Sequence, residues 1–180
     1  YSLYKDREGG MWIGSFFGGL NYYPKGYTYF EKFYPQGADG FKFGKRVREF
    51  CKGNDGTIWI GTEDKGLFNF NPSTGRIQPF VNPKIHNNVH GLCLDGDYLW
   101  VGTFSKGLYR IHLKNKEVKT YVKAIGENTL NSNDIFSIYR SKTGVLWVGT
   151  TYGLLTYNRQ TDDFTRISEL NGIFVYDIQE

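Results

Sequence analysis

Short segments in which apolar and polar side chains alternate recur along this chain, each bounded by clusters of Gly, Asn, Asp and Ser. Alternation with period two marks half-buried β-strands, and the glycine-containing breaks mark tight hairpins. Within residues 47–80 the pattern predicts strands at 47–52, 57–62, 67–71 and 76–80, with turns at Asn54-Asp55-Gly56 and Pro72-Ser73-Thr74-Gly75. The same four-strand pattern returns at 89–94, 98–103, 108–112 and 117–121, and again at 135–140, 145–150, 155–158 and 163–167. An earlier copy reads 2–5, then 11–15, 20–23 and 27–33. No segment carries a helical period.

A motif fixes the repeat. Trp12-Ile13-Gly14-Ser15, Trp59-Ile60-Gly61-Thr62, Trp100-Val101-Gly102-Thr103 and Trp147-Val148-Gly149-Thr150 follow one another at spacings of 47, 41 and 47 residues. Each is followed by Gly-Leu, which in the fourth copy arrives one residue early at Gly153-Leu154. Gly9, Gly56 and Gly144 precede their Trp by three residues, while the third copy shortens that turn to Asp95-Gly96-Asp97. Four antiparallel strands per unit, apolar on both faces, must stack on neighbouring units, and this predicts an all-β fold of β-propeller blades. The blades lie near 2–33, 47–80, 89–121 and 135–167, all within one partial propeller over 1–180. Val175 to Glu180 again reads as an opening strand, so four blades and one strand of a fifth are expected, as part of a larger ring or of one completed by a second copy.

A large residue repeated at one place in every blade is what packing between blades requires, and a glycine beside it permits close approach of the neighbour. Trp12, Gly14, Trp59, Gly61, Trp100, Gly102, Trp147 and Gly149 are therefore assigned to the frame. Variation is concentrated in the interblade connections 34–46, 81–88, 122–134 and 168–174, and loops on a repeated frame are where function sits. In a propeller the turns from second to third strand open on the same face as those connections. There the chain places Phe16-Phe17, Glu63-Asp64-Lys65, Phe104-Ser105-Lys106 and Thr151-Tyr152. Aromatic rings beside ammonium groups suit a sugar, whose apolar face stacks while its acid groups need donors. Phe16, Phe17, Lys65, Phe104, Lys106 and Tyr152 are the candidate ligand-binding residues.

Composition sharpens this reading by exclusion. The 180 residues include 18% aromatics and 23 Gly, a mixture that favours strands and turns. The formal charge of +4 is dispersed, so no nucleic-acid surface is implied. No stretch reaches the length of a membrane span. His86, His90 and Cys93 would gather only on a helix, and on a strand His90 and Cys93 point to opposite faces, so no metal site is expected. Cys51 and Cys93, at equivalent positions of successive blades, are expected as free thiols. The adjacent acids Glu63-Asp64 and Asp162-Asp163 are expected to splay into solvent. No nucleophile elbow, HExxH or phosphate-cradling loop occurs, so no catalytic residue and no cofactor is assigned.

The segment Thr129-Leu130-Asn131-Ser132-Asn133-Asp134-Ile135-Phe136-Ser137-Ile138, followed by Gly144 to Thr150 and a trailing Gly-Leu, resembles the two-component regulator propeller repeat. The resemblance runs along the whole chain. It implies a seven-bladed, periplasmic propeller ahead of a membrane span and a histidine kinase, sensing an oligosaccharide or another small ligand as part of a dimer. On this expectation the region is a receptor module and not an enzyme. A protein-interaction scaffold is the alternative, and a propeller lyase a third.

Overall fold

The computed structural model describes residues 2–5, 7, 9–15, 19–23, 46–126 and 128–180, with backbone alone for 2, 12–15 and 19–22. The chain divides into two compact units, residues 1–34 and 35–180. The first holds an antiparallel sheet of β1 (Ser2–Lys5), β2 (Met11–Ser15) and β3 (Gly19–Tyr23). Its register sets Trp12 opposite Tyr4 and Tyr22. The strand expected over 27–33 lies outside the described residues, as do Phe16 and Phe17.

The second unit is a stack of three four-stranded antiparallel sheets, each running in chain order from inner to outer strand. The second blade comprises β4 (Val47–Lys52), β5 (Ile58–Thr62), β6 (Gly66–Asn71) and β7 (Arg76–Pro79). β8 (Val89–Asp95), β9 (Tyr98–Thr103), β10 (Leu108–His112) and β11 (Val118–Tyr121) form the third. The fourth is β12 (Ile135–Arg140), β13 (Leu146–Thr150), β14 (Gly153–Asn158) and β15 (Asp163–Arg166). A 3-10 turn at Ser168–Leu170 follows. Gly56 and Gly144 close the first hairpins of the second and fourth blades with φ of 80° and 86°, in the left-handed region that glycine enters without a steric cost.

Period-two alternation sends successive side chains of one strand into two different cores. Along β9, Leu99 and Val101 join Trp59, Leu67 and Leu92 between the second and third blades. Trp100, on the opposite face, joins Ile135, Ile138, Leu146 and Val148 between the third and fourth. Trp59 and Trp100 thus each pack toward the blade that follows. Trp147, at the equivalent position of the last blade, is only half-buried.

The frame glycines are steric keys. A Cβ on Gly61 would stand 2.6 Å from Val89 Cγ1, and one on Gly102 would stand 2.6 Å from Ile135 Cγ2. Val89 and Ile135 open the inner strands of the next blades, so each Gly receives the first apolar side chain of its neighbour. Val175 fills the same role: its Cγ1 would stand 2.9 Å from a Cβ on Gly149, and its N–H donates to the Thr150 carbonyl at 2.9 Å. This seats residue 175 where an opening strand begins. The expected strand over 175–180 is not formed, however, because residues 173–180 join no ladder among the described residues, and a strand exists only through a hydrogen-bonded neighbour.

Candidate functional site

The turns between second and third strands are tied to the interblade loops, so both lie on one face. Gly66 N–H donates to the Asn87 carbonyl (2.8 Å), Phe104 N–H to the Asn88 carbonyl (3.1 Å), Gly107 N–H to the Asn133 carbonyl (2.9 Å) and Thr151 N–H to the Asp134 carbonyl (3.2 Å). Ser105, in the left-handed region at φ 73°, is held by its N–H on the Asp134 carboxylate at 2.8 Å.

On this face a cleft of about 640 Å³ opens between the second and third blades. Lys65 and Lys106 border it from the two turns, and the interblade loop contributes Lys84, His86 and Asn87. Phe80, Ile85 and Tyr109 supply its apolar walls. Three ammonium groups and no carboxylate line it, and none of the three has a side-chain partner among the described residues. His86 is engaged locally, its Nδ1 accepting the Asn88 N–H at 3.3 Å. A volume of this order is typical of small-ligand pockets, and its ammonium groups give it a positive charge.

Closer to the inner strands, the same face carries a cluster of rings. Phe104 stacks on His90 with centroids 5.8 Å apart, and Phe136 meets His90 edge-on at 4.9 Å and Phe104 at 6.2 Å. Phe174 and Tyr176 continue the cluster, 4.6 and 5.8 Å from Phe136. His90 is buried, and its Nδ1 has no hydrogen-bond partner. Burial holds its imidazole below the ordinary range, with Arg48 acting in the same direction. Arg48 itself pairs with Glu63 at 3.4 Å, and Arg46 with the same carboxylate at 3.2 Å, so Glu63 does not splay freely into solvent as the sequence suggested.

The six sequence-predicted ligand residues therefore do not form one site. Lys65 and Lys106 meet at the cleft. Phe104 belongs to the ring cluster, and Tyr152, half-exposed on a two-residue turn, stands apart with its carbonyl accepting from Asn131 and Gly172. Lys84, His86 and Tyr109 were flagged only through the variability of their loop or not at all. His90 and Phe136 look like ordinary strand residues in the sequence.

The opposite face holds its charges in closed clusters. Asp162, expected in solvent, accepts from Arg110 (3.1 Å), Tyr121 (2.6 Å), Tyr157 (2.6 Å) and Lys119. Burial pushes its carboxyl up, but these donors override that effect and hold it well below the usual carboxylate range. Asp162 therefore does not splay into solvent; it adopts φ 57°, which short polar residues tolerate. The Arg110 guanidinium also lies 5.0 Å from the Tyr98 ring and 5.6 Å from Trp100. Asp95, 5% exposed, pairs with Arg140 at 2.9 Å and Arg159 at 2.6 Å. Both cysteines are free, and burial pushes the Cys93 thiol up to about 12. Among the described residues no group of His, Cys, Asp and Glu is placed to hold a metal, and no helix is long and apolar enough to cross a membrane.

A stack of four-stranded blades with a cationic cleft on its loop face is a fragment of a β-propeller. A family model described as the two-component regulator propeller matches residues 1–17, 42–64 and 129–152. The third copy, whose first hairpin is shortened, falls outside the matched segments. The chain is similar to the extracellular domain of a protein described as a hybrid two-component system, BT4673 from B. thetaiotaomicron, at 27% identity and a TM-score of 0.66. That match covers 97% of this chain and 22% of the other, so this chain spans less than a quarter of its relative. The corresponding domain of BT3049 from the same organism shares the fold at 24% identity and a TM-score of 0.61, over 92% of this chain and 22% of that one. Virginiamycin B lyase from Staphylococcus aureus shares it at 13% identity and a TM-score of 0.53, over 92% and 55%. No curated protein matches the chain.

Proposed function

We propose that this chain is part of the extracytoplasmic sensing propeller of a two-component receptor, binding an acidic oligosaccharide released from a polysaccharide and signalling to a kinase elsewhere in the receptor. In that receptor, further repeats or a second copy complete the ring. The cleft between the second and third blades carries the reading, because three unpaired lysines with apolar walls suit a sugar bearing carboxylate or sulfate. The relation to BT4673 supports the receptor context. No carboxylate lines the cleft, so the paired acids that glycoside hydrolysis uses are not among its residues.

The test replaces Lys65 and Lys106 with Ala and titrates pectin and chondroitin sulfate oligosaccharides at several salt concentrations. Wild type should bind with an affinity that falls as salt rises, and each variant should bind more weakly with a flatter salt dependence. Unchanged affinity in both variants removes the cleft from the function. A scaffold that holds another protein is the second reading, favoured by Val81 and Ile125, which stand 85% and 105% exposed on successive interblade loops. Capture of one defined protein partner together with failure of every oligosaccharide would decide for it.

A further inference from the structure

All three inner strands of the second unit break register at the same place. The shift falls between Val47 and Glu49 in β4, between Val89 and Gly91 in β8, and between Ile135 and Ser137 in β12. The skipped residues are Arg48, His90 and Phe136. A bulge of this kind frees one residue from the ladder and re-aims its side chain, and bulges recur beside binding sites for that reason. Val175 occupies the place of Val89 and Ile135 against its frame glycine, which makes Tyr176 the next residue in the series. Arg, His, Phe and Tyr therefore stand at one position of an otherwise repeated frame. The residue before each is a Val or Ile, buried at Val89 and Ile135, whereas these four differ in charge, polarity and shape.

Packing alone does not account for what they build. Phe104 remains 43% exposed although it packs against His90 and Phe136, an arrangement that leaves part of its ring toward water. His90, 9% exposed, has an imidazole nitrogen with no partner inside this cluster, and an unsatisfied buried polar atom costs stability unless something outside the fold repays it. The charges of Arg48, Glu63 and Asp134 are felt at His90; Arg48 pairs with Glu63, and Asp134 holds the Ser105 N–H. Exposed rings with polar groups at their rim match a sugar ring, which offers a face of C–H bonds to stack and a periphery of hydroxyls to hydrogen-bond. Lys106 is two residues from Phe104, at most about 7 Å along the chain, so one oligosaccharide can reach both the rings and the cationic cleft.

We infer that the bulge residues Arg48, His90, Phe136 and Tyr176, with Phe104, form a stacking subsite for one pyranose ring of the ligand, and that these positions set which sugar is read. This rests on the oligosaccharide reading given above and adds to it a second subsite. Specificity then resides in one variable position per blade, held by a frame that does not change.

The experiment uses the full chain, with short neutral and acidic oligosaccharides from pectin and from chondroitin sulfate as probes. Affinity is measured by calorimetry, and contact by shifts of the aromatic and imidazole resonances. Wild type should retain an oligosaccharide and shift the rings of Phe104, Phe136 and Tyr176. Phe104→Ala, Tyr176→Ala and His90→Gln should each weaken it by about tenfold, the equivalent of one lost ring contact. Tyr176→Phe, which keeps the ring, should bind nearly as wild type. Phe104 and Tyr176 are exposed, so their truncation leaves the cores intact, and unchanged melting curves verify this. Retained affinity in all three variants, with unshifted ring resonances, overturns the subsite while the oligosaccharide reading stands. Failure of wild type to hold any probe overturns both.

Discussion

Gly102→Ala is a one-methyl change whose sign reports whether blades are keyed together as the structure indicates. Gly102 lies in β9 outside the left-handed region, so its backbone accepts alanine, and in open space the change would stabilise by about 0.4–1 kcal/mol through the unfolded chain. It is not in open space. The new Cβ would stand 2.6 Å from Ile135 Cγ2 and 2.9 Å from Ile135 Cβ, with Ile138 Cδ1 at 3.3 Å. Ile135 is fully buried and β-branched, so it cannot swing aside without crossing a stiff χ1 barrier. Overpacking of this kind costs roughly 1–3 kcal/mol, which outweighs the entropic gain. Urea unfolding should therefore show a net loss of stability. Ile135→Ala alone should cost about 2–5 kcal/mol. In the double variant the added methyl enters the space that Ile135 vacates, and the two losses should fall short of their sum by roughly 0.5–3 kcal/mol. A stabilised Gly102→Ala protein, or strict additivity in the double variant, would show that the blades do not meet at this contact.

Two further substitutions probe the cores and the charge clusters. Trp59→Ala should destabilise by roughly 3–5 kcal/mol, because its ring is buried between the blades and meets Phe80 edge-on at 5.8 Å, whereas Trp147→Ala should cost clearly less because that ring is only half-buried; equal losses in urea unfolding would contradict the assignment of faces. Asp162 is held below its ordinary pKa in the folded protein, so its stabilisation is complete above about pH 3.9 and is lost as pH falls through the lower native value. Asp162→Asn should accordingly be less stable than wild type at neutral pH and should lose less on acidification, and parallel acid-unfolding curves for the two proteins would refute the linkage.

Much of the frame was legible in the sequence because it is written four times. The strands at 47–52, 98–103, 108–112 and 135–140 match β4, β9, β10 and β12 to the residue, since alternation bounded by a hairpin leaves little freedom of register. The roles of Gly61 and Gly102 followed from their position after a buried Trp, and the structure supplies the Val89 and Ile135 side chains that they accommodate. What stayed hidden depends on contacts between blades. His90 and Phe136 carried no binding assignment in the sequence, because a one-residue register shift leaves no mark in composition. Asp162 read as half of a solvent-facing acid pair, because Arg110 lies 52 residues earlier in the chain and meets it only when the third and fourth blades stack. The cationic cleft was half visible: Lys65 and Lys106 follow from turn topology, while Lys84 reaches them only through the path of the interblade loop.

The two faces of the stack satisfy their polar groups by different means, and this difference bears on which of them can bind. On the hairpin face, Asp95 is enclosed by Arg140 and Arg159, Asp162 by Arg110, Lys119 and two tyrosines, and Asp97 by Lys114 at 3.0 Å. Those charges are already neutralised, and a ligand there would have to break existing ion pairs before making its own. On the loop face Arg46 and Arg48 pair with Glu63 and the Asp134 carboxylate holds the Ser105 N–H, but the side chains of Lys65, Lys84 and Lys106 and the His90 Nδ1 have no partner among the described residues. A ligand held by those three ammonium groups would not have to break an ion pair first. Because the loops it would touch are the same segments that carry Asn87, Asn88 and Asp134 onto the turns, a ligand bound on this face would act directly on the connections between blades.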